Sequence, residues 1–278
     1  MSDSNPLVEL MKLLRLWNGL IAVLGLVLGA AISTGITDLA DWAEELILGA
    51  FVVLFFVGAG NSLNDYFDIE TDRIAHPNRP LPRGTLPRRL ALCSSIAMFA
   101  GCVILALFIN WLSLMIVIIA ILIMMVYELR MKSLGLTGNV LIALLVAALF
   151  EFSGSVVELP EKTLVLAGLS GLATLGREII KDIEDLKGDV ARKTLPKRIG
   201  ARNAGYVAIV PTLIAVALSP VPYIQEQLTI LYLLTVILAD ALFVYGAIAQ
   251  FKDPGRGQKI YKVAMVVALI SFAVGVRT

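Results

Sequence analysis

The sequence predicts an all-α membrane protein, a bundle of nine transmembrane helices that surround a central cavity and carry a cytoplasmic cap. Of the 278 residues, 58% are hydrophobic and 16% are charged, whereas soluble domains have about 45–50% and roughly 25%. Apolar stretches of about 20 residues, the length that crosses a bilayer, recur along the chain. Basic residues are concentrated in alternate connections between these stretches. We therefore expect one transmembrane domain that covers residues 1–278.

Nine apolar stretches are long enough to be predicted as transmembrane helices, to within a few residues at each end. They cover residues 12–32, 44–64, 89–109, 111–129, 138–158, 163–181, 203–220, 226–248 and 260–277. The first is predicted to be a retained span, because no small-residue cleavage site follows a short apolar core. The sixth is the least apolar, because its uninterrupted apolar part is limited to residues 164–176.

The distribution of basic residues predicts the orientation of the nine spans. With the N-terminus in the cytoplasm, all but two of the 23 lysines and arginines, Lys162 and Arg277, fall on the cytoplasmic side. Cytoplasmic loops of membrane proteins carry this excess of positive charge. We therefore expect a multi-pass protein of the cell membrane with a cytoplasmic N-terminus and an external C-terminus. The net charge of +1 predicts no nucleic-acid partner.

A row of polar residues begins where the second span ends. Asn64, Asp68 and Asp72 recur every four residues, which on a helix places neighbouring side chains about 5–6 Å apart on one face. Carboxylates stacked so closely repel one another, and a divalent cation that prefers oxygen ligands, such as Mg²⁺, relieves the repulsion. Five arginines follow: Arg73, Arg79, Arg83, Arg88 and Arg89. The stretch 61–72 and these arginines predict a site for a metal-chelated polyanion, with diphosphate as the leading candidate.

A second acidic row is predicted at the inner end of the sixth span. Asp182, Asp185 and Asp189 are spaced so that a helix would present all three on one face, and a basic loop again follows. The two basic loops contain similar strings, TLPRR at 85–89 and TLPKR at 194–198. We expect two halves of the bundle that each deliver one acidic row to a shared cavity on the inner face. Two facing rows suit two or more Mg²⁺ ions that bridge a diphosphate.

Polar residues near the inner ends of other spans are candidate ligands of the same anion. Arg15 and Asn18 share a face at the start of the first span. Tyr127 and Lys132 lie at the end of the fourth span. Asn139 opens the fifth span, where the N–H groups of a helix N-terminus favour an anion. The alternative roles are snorkelling to lipid head groups for Arg15 and topological anchoring for Lys132.

Two carboxyl residues are predicted to lie deep in the membrane, Glu151 in the fifth span and Asp240 in the eighth. Ionisable groups at that depth are costly, and they tend to be functional. We expect a protonated or hydrogen-bonded structural carboxyl for Asp240, and for Glu151 either that role or the lining of an acceptor pocket. A transporter or channel would concentrate polar residues at mid-membrane. Both acidic rows instead lie at the cytoplasmic ends of spans, which favours an enzyme.

These motifs resemble those of the UbiA superfamily of intramembrane prenyltransferases. Residues 64–72, with the pattern N-D-x-x-D-x-x-x-D, are similar to the first aspartate-rich motif of the family. Residues 182–189, with the pattern D-x-x-D-x-x-x-D, are similar to the second. Shorter matches are found at Arg15, Asn18, Tyr127, Lys132, Gly138 and Asn139. The resemblance covers the first six spans by motif and the whole chain by the number of spans.

The resemblance implies an enzyme that binds a prenyl diphosphate through Mg²⁺, releases diphosphate and joins the allylic carbon to an acceptor. The metal ligands that it implies are Asn64, Asp68, Asp72, Asp182, Asp185 and Asp189. The residues that it implies for the prenyl diphosphate are Arg15, Asn18, Arg73, Tyr127, Lys132 and Lys181. Catalytic roles are implied for Asp68, Asp72, Asp185, Asp189 and Lys132. The chain departs from the family pattern at Arg177, where many relatives have a tyrosine.

Within the superfamily, the stretches 64–84 and 176–189 are most similar to the archaeal synthases of digeranylgeranylglyceryl phosphate. That resemblance implies transfer of a geranylgeranyl group from geranylgeranyl diphosphate to geranylgeranylglyceryl phosphate, which forms the second ether bond of archaeal membrane lipids. The alternatives are prenylation of an aromatic acceptor, such as 4-hydroxybenzoate or another quinone precursor, and an esterification like that of chlorophyll synthases. The implied partners are the two substrates and the membrane lipids, with no obligate protein partner.

Overall fold

The computed structural model describes residues 5–187 and 193–277 of the chain. Within these ranges the regular structure is helical, apart from one isolated antiparallel bridge between Leu228 and Val276. Long apolar stretches form helices because a helix satisfies its own backbone hydrogen bonds, which lipid cannot do. The prediction of an all-α fold is therefore confirmed.

Long helices joined by short helices and turns make up the described chain. The helices are α1 (Pro6–Leu14), α2 (Leu16–Thr34), α3 (Ala43–Ala75), α4 (Arg88–Leu107), α5 (Trp111–Val126), α6 (Leu136–Val156), α7 (Leu164–Glu184), α8 (Leu195–Ile199), α9 (Ala201–Leu218), α10 (Val221–Ile224), α11 (Ile230–Ala249) and α12 (Pro254–Gly275). Turns of 3₁₀ helix cover Thr37–Trp42, Pro160–Lys162 and Asp185–Lys187, and a π-helical turn covers Tyr127–Met131.

Eight helices in the described ranges are long and apolar enough to cross a membrane. They match eight of the predicted spans and cover Leu16–Thr34, Thr37–Ala75, Arg88–Leu107, Trp111–Met131, Leu136–Val156, Ala201–Ile224, Ile230–Ala249 and Pro254–Gly275. The predicted sixth span also forms a helix, α7, but this helix is not among the eight. Its last two turns hold the charged side chains Arg177, Glu178, Lys181, Asp182 and Glu184.

Two helix boundaries near the N-terminus differ from the prediction. The first span is interrupted at Arg15, whose φ of 50° is left-handed, so α1 and α2 are separate helices. Such a conformation costs a non-glycine residue roughly 1–2 kcal/mol, and an ion pair between Arg15 and Asp65 holds it in place. The helix α3 runs to Ala75, beyond the predicted end at residue 64, so the whole first acidic row is helical.

The end of α7 also differs from the prediction. The helix ends at Glu184, and a 3₁₀ turn follows over Asp185–Lys187. The prediction of one continuous helix is therefore wrong between Asp182 and Asp185, and Asp189 lies outside the described residues. Several acidic side chains at a helix C-terminus oppose the helix dipole, which disfavours further helical turns.

The bundle has two halves that share α2 and α6. One large apolar cluster joins α2 and α6 to α3, α4 and α5, and another joins them to α7, α9, α11 and α12. The two shared helices approach each other closely at Gly29, where a side chain would collide with the Ser153 hydroxyl. Small residues allow such close contacts between membrane helices.

Each half of the bundle contains an apolar cavity. The first, of about 240 Å³, is bounded by α2, α3, α5 and α6. The second, of about 270 Å³, is bounded by α2, α6, α7, α9, α11 and α12. Ala22, Val146 and Leu149 line both cavities and so form a shared wall. The predicted central cavity is therefore divided between the two halves.

Candidate active site

The first acidic row lies near the C-terminal end of α3, and its carboxylates are paired with cations. Asp68 Oδ2 accepts a hydrogen bond from Lys132 Nζ at 2.6 Å. Asp72 Oδ2 accepts one from Arg79 Nη1, also at 2.6 Å. Because α3 continues through both aspartates, the helix sets their spacing, and the cations come from elements outside α3.

Asp65, next to this row, is a buried carboxylate that had no predicted role. Only 1% of its surface is exposed, and Oδ1 accepts hydrogen bonds from Arg15 at 2.6 Å and Arg79 at 3.4 Å. A buried charge is costly unless it is paired, so these contacts hold the α1–α2 junction and the loop after α3 against α3. The sequence signal for Asp65 is its spacing of two helical turns from Asp72, which shares Arg79.

The connection between α5 and α6 brings Lys132 to the first row through the π-helical turn. The Lys132 N–H donates to the Tyr127 carbonyl, five residues earlier, at 2.9 Å. Lys132 Nζ also contacts Glu128 Oε2 at 3.0 Å, and Glu128 Oε1 accepts from Asn64 Nδ2 at 3.0 Å. Glu128 is buried and had no predicted role. Its four-residue spacing from Lys132 is the sequence signal for a helical ion pair.

The second acidic row contacts Asn139, at the start of α6. Asn139 Nδ2 donates to Asp182 Oδ2 at 2.9 Å. Asp185 follows on the 3₁₀ turn and is exposed. Lys181, one of the predicted diphosphate ligands, has its Nζ 3.6 Å from Glu178 Oε2. The structure therefore holds Asp182 by a direct contact and presents Asp185 to solvent.

Both acidic rows lie at the same end of the bundle, because both contact the segment 132–139, which connects α5 to the first turn of α6. Lys132 at the start of this segment contacts the first row, and Asn139 at its end contacts the second. The Lys193 N–H, in the loop after the second row, donates to the Ser133 carbonyl at 2.9 Å. Gly135 permits this approach, since its φ is 64° and a side chain would come within 2.7 Å of a backbone nitrogen of α8.

The donor atoms in this region suit Mg²⁺ in type. The carboxylate and amide oxygens of the two rows are the hard ligands that Mg²⁺ prefers. Within residues 5–187 and 193–277, no three His, Cys, Asp or Glu side chains are grouped so as to hold a metal ion. Asp68 and Asp72 instead contact Lys132 and Arg79. Binding of Mg²⁺ would therefore exchange these contacts for metal contacts.

Other residues predicted to bind diphosphate have varied surroundings. Arg73 forms an exposed ion pair with Glu70 at 2.8 Å. Tyr127 lies in the π-helical turn. Asn18 lines the larger apolar cavity, less than one helical turn beyond Arg15. Asn18 therefore lies between this cavity and the end of the bundle that carries the acidic rows.

The two deep carboxyl groups differ in their partners. Asp240 lines the larger cavity, and its Oδ2 accepts a hydrogen bond from Ser219 Oγ at 2.7 Å, as predicted for a hydrogen-bonded carboxyl. Glu151 Oε1 is buried without a hydrogen-bond partner in the described part of the chain. Among the same residues, Glu151 lines neither of the two apolar cavities, so its expected place in an acceptor pocket has no support from them.

Comparison with known proteins shows which family this chain resembles in sequence. The sequence model of the UbiA prenyltransferase family matches residues 21–270. Digeranylgeranylglyceryl phosphate synthase of Methanosphaera stadtmanae is 35% identical over 278 residues, which cover 98% of this chain and 99% of that protein. The protein of the same name from Methanosarcina mazei is 41% identical over 234 residues, which cover 81% of each chain.

Solved structures share the fold. A structure from work on digeranylgeranylglyceryl phosphate synthase in membranes aligns with a TM-score of 0.85 and 33% identity, over 98% of this chain and 99% of that one. A UbiA homologue from Archaeoglobus fulgidus bound to GPP and Mg²⁺ aligns with a TM-score of 0.68 and 16% identity, over 96% and 98%. At 16% identity, the similarity to the Archaeoglobus fulgidus homologue shows the fold alone.

Proposed function

We propose that this chain, which belongs to the UbiA prenyltransferase family, transfers a geranylgeranyl group from geranylgeranyl diphosphate to geranylgeranylglyceryl phosphate. The product carries the second ether bond of an archaeal membrane lipid. The observation that carries the proposal is the contact of both acidic rows with one segment, through Lys132 and Asn139. Two relatives named for this synthesis, at 35% and 41% identity, support it. Family membership removes the transporter alternative.

Six residues are proposed to hold Mg²⁺ through side-chain oxygens: Asn64, Asp68, Asp72, Asp182, Asp185 and Asp189. Two rows suit two or more ions, because a single ion needs only one cluster. When bound, Mg²⁺ neutralises charge on the diphosphate and makes it a better leaving group. The Archaeoglobus fulgidus homologue bound to GPP and Mg²⁺ supports this choice of metal.

The residues proposed to bind the diphosphate directly are Arg15, Asn18, Arg73, Tyr127, Lys132 and Lys181. Lys132 has the strongest structural argument, because its ammonium already bridges Asp68 and Glu128 at the first row. Positive groups placed where negative charge develops stabilise a leaving anion. The proposed catalytic residues are therefore Asp68, Asp72, Asp185, Asp189 and Lys132.

The chemistry requires a dry chamber. The bond between carbon 1 of the prenyl chain and the diphosphate oxygen breaks, and its electron pair leaves with diphosphate. A glycerol hydroxyl of the acceptor forms the new carbon–oxygen bond and loses its proton. Because water would also trap the allylic cation, it must be excluded. The apolar walls of the two cavities, which long helices contribute, suit that purpose.

Two separate apolar cavities favour an acceptor that has a hydrocarbon chain of its own. Geranylgeranyl diphosphate and geranylgeranylglyceryl phosphate each carry one long isoprenoid chain, whereas 4-hydroxybenzoate carries none. The cavities of about 240 and 270 Å³ offer each chain a chamber in one half of the bundle. The two head groups would then meet at the acidic end, where proximity favours reaction.

We place the active site on the cytoplasmic side of a nine-helix bundle formed by the single domain 1–278, with α7 as the ninth spanning helix. The positive-inside rule supports this orientation, because the loop after the first row is rich in arginine. In that loop, Leu81 and Leu86 are buried against Leu13 of α1. The loop and α1 form the proposed cytoplasmic cap.

The test offers radiolabelled geranylgeranyl diphosphate to the purified protein with one of three acceptors: geranylgeranylglyceryl phosphate, 4-hydroxybenzoate or chlorophyllide. We expect label in the glycerol lipid only, and none when excess chelator removes Mg²⁺. Label in 4-hydroxybenzoate or chlorophyllide would establish one of the alternatives. Undiminished transfer in excess chelator would contradict the metal assignment.

A further inference from the structure

Glu128 is a buried carboxylate that lies behind the first acidic row. Its side chain is 2% exposed; Oε1 accepts from Asn64 Nδ2 and Oε2 from Lys132 Nζ, both at 3.0 Å. We infer that Glu128 is a positioning residue, which presents Asn64 to Mg²⁺ and Lys132 to the diphosphate of the donor. The inference rests on the proposed function and adds to it the residue that orients one half of the site.

The first effect of Glu128 is to select the atom of the Asn64 amide that can bind a cation. An ionised carboxylate only accepts hydrogen bonds, so Asn64 must direct its NH₂ group to Glu128. The amide oxygen, which is the metal-binding atom, then remains for a cation. Without the charge of Glu128, both orientations of the amide become accessible, because its oxygen and nitrogen are nearly equal in shape.

The second effect of Glu128 is to retain Lys132 when Asp68 binds a metal. Lys132 Nζ lies 2.6 Å from Asp68 and 3.0 Å from Glu128. A cation at Asp68 competes with the Lys132 ammonium for the same carboxylate. Because Glu128 offers the ammonium a second carboxylate, Lys132 can release Asp68 and still stay beside the row. An ammonium has three donors, so one bond to Glu128 leaves two for phosphate oxygens.

The segment that supplies both groups includes the π-helical turn. In a regular α-helix the N–H of residue 132 would bond to the carbonyl of residue 128. Here the Lys132 N–H bonds to the Tyr127 carbonyl instead, which widens the turn. Both Glu128 and Lys132 contact α3, where Asn64 and Asp68 lie one helical turn apart. Turns of this kind occur frequently at functional sites.

The test compares the wild type with Glu128→Gln, which keeps the shape of the side chain and removes its charge. Binding of labelled geranylgeranyl diphosphate to the purified protein, without acceptor, is measured as a function of Mg²⁺ concentration. We expect Glu128→Gln to raise the Mg²⁺ concentration for half-maximal binding about tenfold, the effect typical of residues that orient metal ligands. Saturating Mg²⁺ should restore the contribution of Asn64, whereas donor affinity should stay below that of the wild type because Lys132 still lacks its second carboxylate.

Glu9→Gln is the matched control, because Glu9 is also buried and accepts hydrogen bonds from a lysine and a second donor, Lys12 at 2.7 Å and Thr85 at 2.9 Å. We expect both variants to lose thermal stability, and only Glu128→Gln to change the Mg²⁺ dependence. Glu128→Asp, which keeps the charge at a shorter reach, provides a second measurement. Its Mg²⁺ dependence should lie nearer to that of the wild type.

Three results would overturn the positioning role and leave the proposed function intact. They are an unchanged Mg²⁺ dependence in Glu128→Gln, an equal change in Glu9→Gln, and a change in Glu128→Asp as large as that in Glu128→Gln. Wild-type protein that binds the donor equally well with and without Mg²⁺ would instead contradict both the proposed function and the role of Glu128.

Discussion

The two acidic rows contain the same kinds of residues, but the structure holds them in different ways. The first lies on the continuous helix α3, and its carboxylates are paired with cations from other elements. The second lies where α7 ends, with Asp182 held by Asn139 and Asp185 exposed on a 3₁₀ turn. Similar spacing therefore does not fix how firmly a carboxylate is held, because that depends on partners from elsewhere in the fold.

Because the two rows are held differently, substitutions in them should have similar effects on activity and different effects on stability. If both rows bind Mg²⁺, loss of a ligand from either row should remove activity to a similar degree. The effects on stability should differ, because the first row and its neighbour Asp65 take part in ion pairs that join several elements. Measuring activity and unfolding together on the same variants tests both statements.

The largest expected effect is on transfer in Asp68→Ala and Asp185→Ala. Each variant removes a proposed metal ligand, so we expect a loss of about 10²–10³-fold in the labelled-donor assay. Both proteins should still fold in detergent, and Asp185→Ala should unfold at the wild-type temperature because Asp185 is exposed. Normal turnover by either variant would remove its row from the metal site.

The next effect concerns stability at the first row. Asp65→Ala leaves Arg15 without its buried partner and Arg79 paired with Asp72 alone, and we expect a loss of about 2–3 kcal/mol in unfolding free energy. The value is below that of a fully buried pair, because the arginine side chains are 30% and 28% exposed. Glu70→Ala, which breaks the exposed pair with Arg73, should cost no more than about 1 kcal/mol. Equal losses would show that burial of Asp65 has no energetic role.

A smaller effect is expected when the contact between the loop at Lys193 and the segment at Ser133 is disturbed. Gly135 and Gly200 have φ of 64° and 84°, so alanine at either position should cost roughly 1–2 kcal/mol. A side chain at Gly135 would also collide with α8, whereas no atom of the described residues lies within 4 Å of one at Gly200. We expect Gly135→Ala, and not Gly200→Ala, to reduce transfer about tenfold by displacing the second-row loop. Similar transfer by the two variants would argue against the need for this contact.

The smallest expected effect is on the pH dependence of stability, and it arises from Glu9 in α1. Hydrogen bonds from Lys12 and then from Thr85 lower the pKa of Glu9 below its ordinary value of 4.5. A lowered pKa in the folded state means that the stabilisation is complete above the ordinary pKa and is lost as the pH falls through the folded-state value. Unfolding temperatures measured across acidic pH should therefore fall less steeply for Glu9→Gln than for the wild type. Parallel curves would contradict this.

Some features of the site were predictable from the sequence and others were not. The helical row Asn64, Asp68 and Asp72 follows from four-residue spacing, and α3 carries all three. The end of α7 before Asp185 was not predicted, because spacing does not report how acidic side chains act on the helix terminus. The proposed binding of diphosphate by Arg15 stays a prediction, and the ion pair of Arg15 with Asp65 was not predicted.

The sequence by itself determined the membrane-crossing helices and the first acidic row, because apolar length and residue spacing are local properties of the chain. Only the tertiary structure decided which side chains meet. Asn64 meets Glu128 across 64 positions of the chain, and Arg15 meets Asp65 across 50. Such contacts depend on how separate helices pack against each other, and the pattern within one segment does not contain that information.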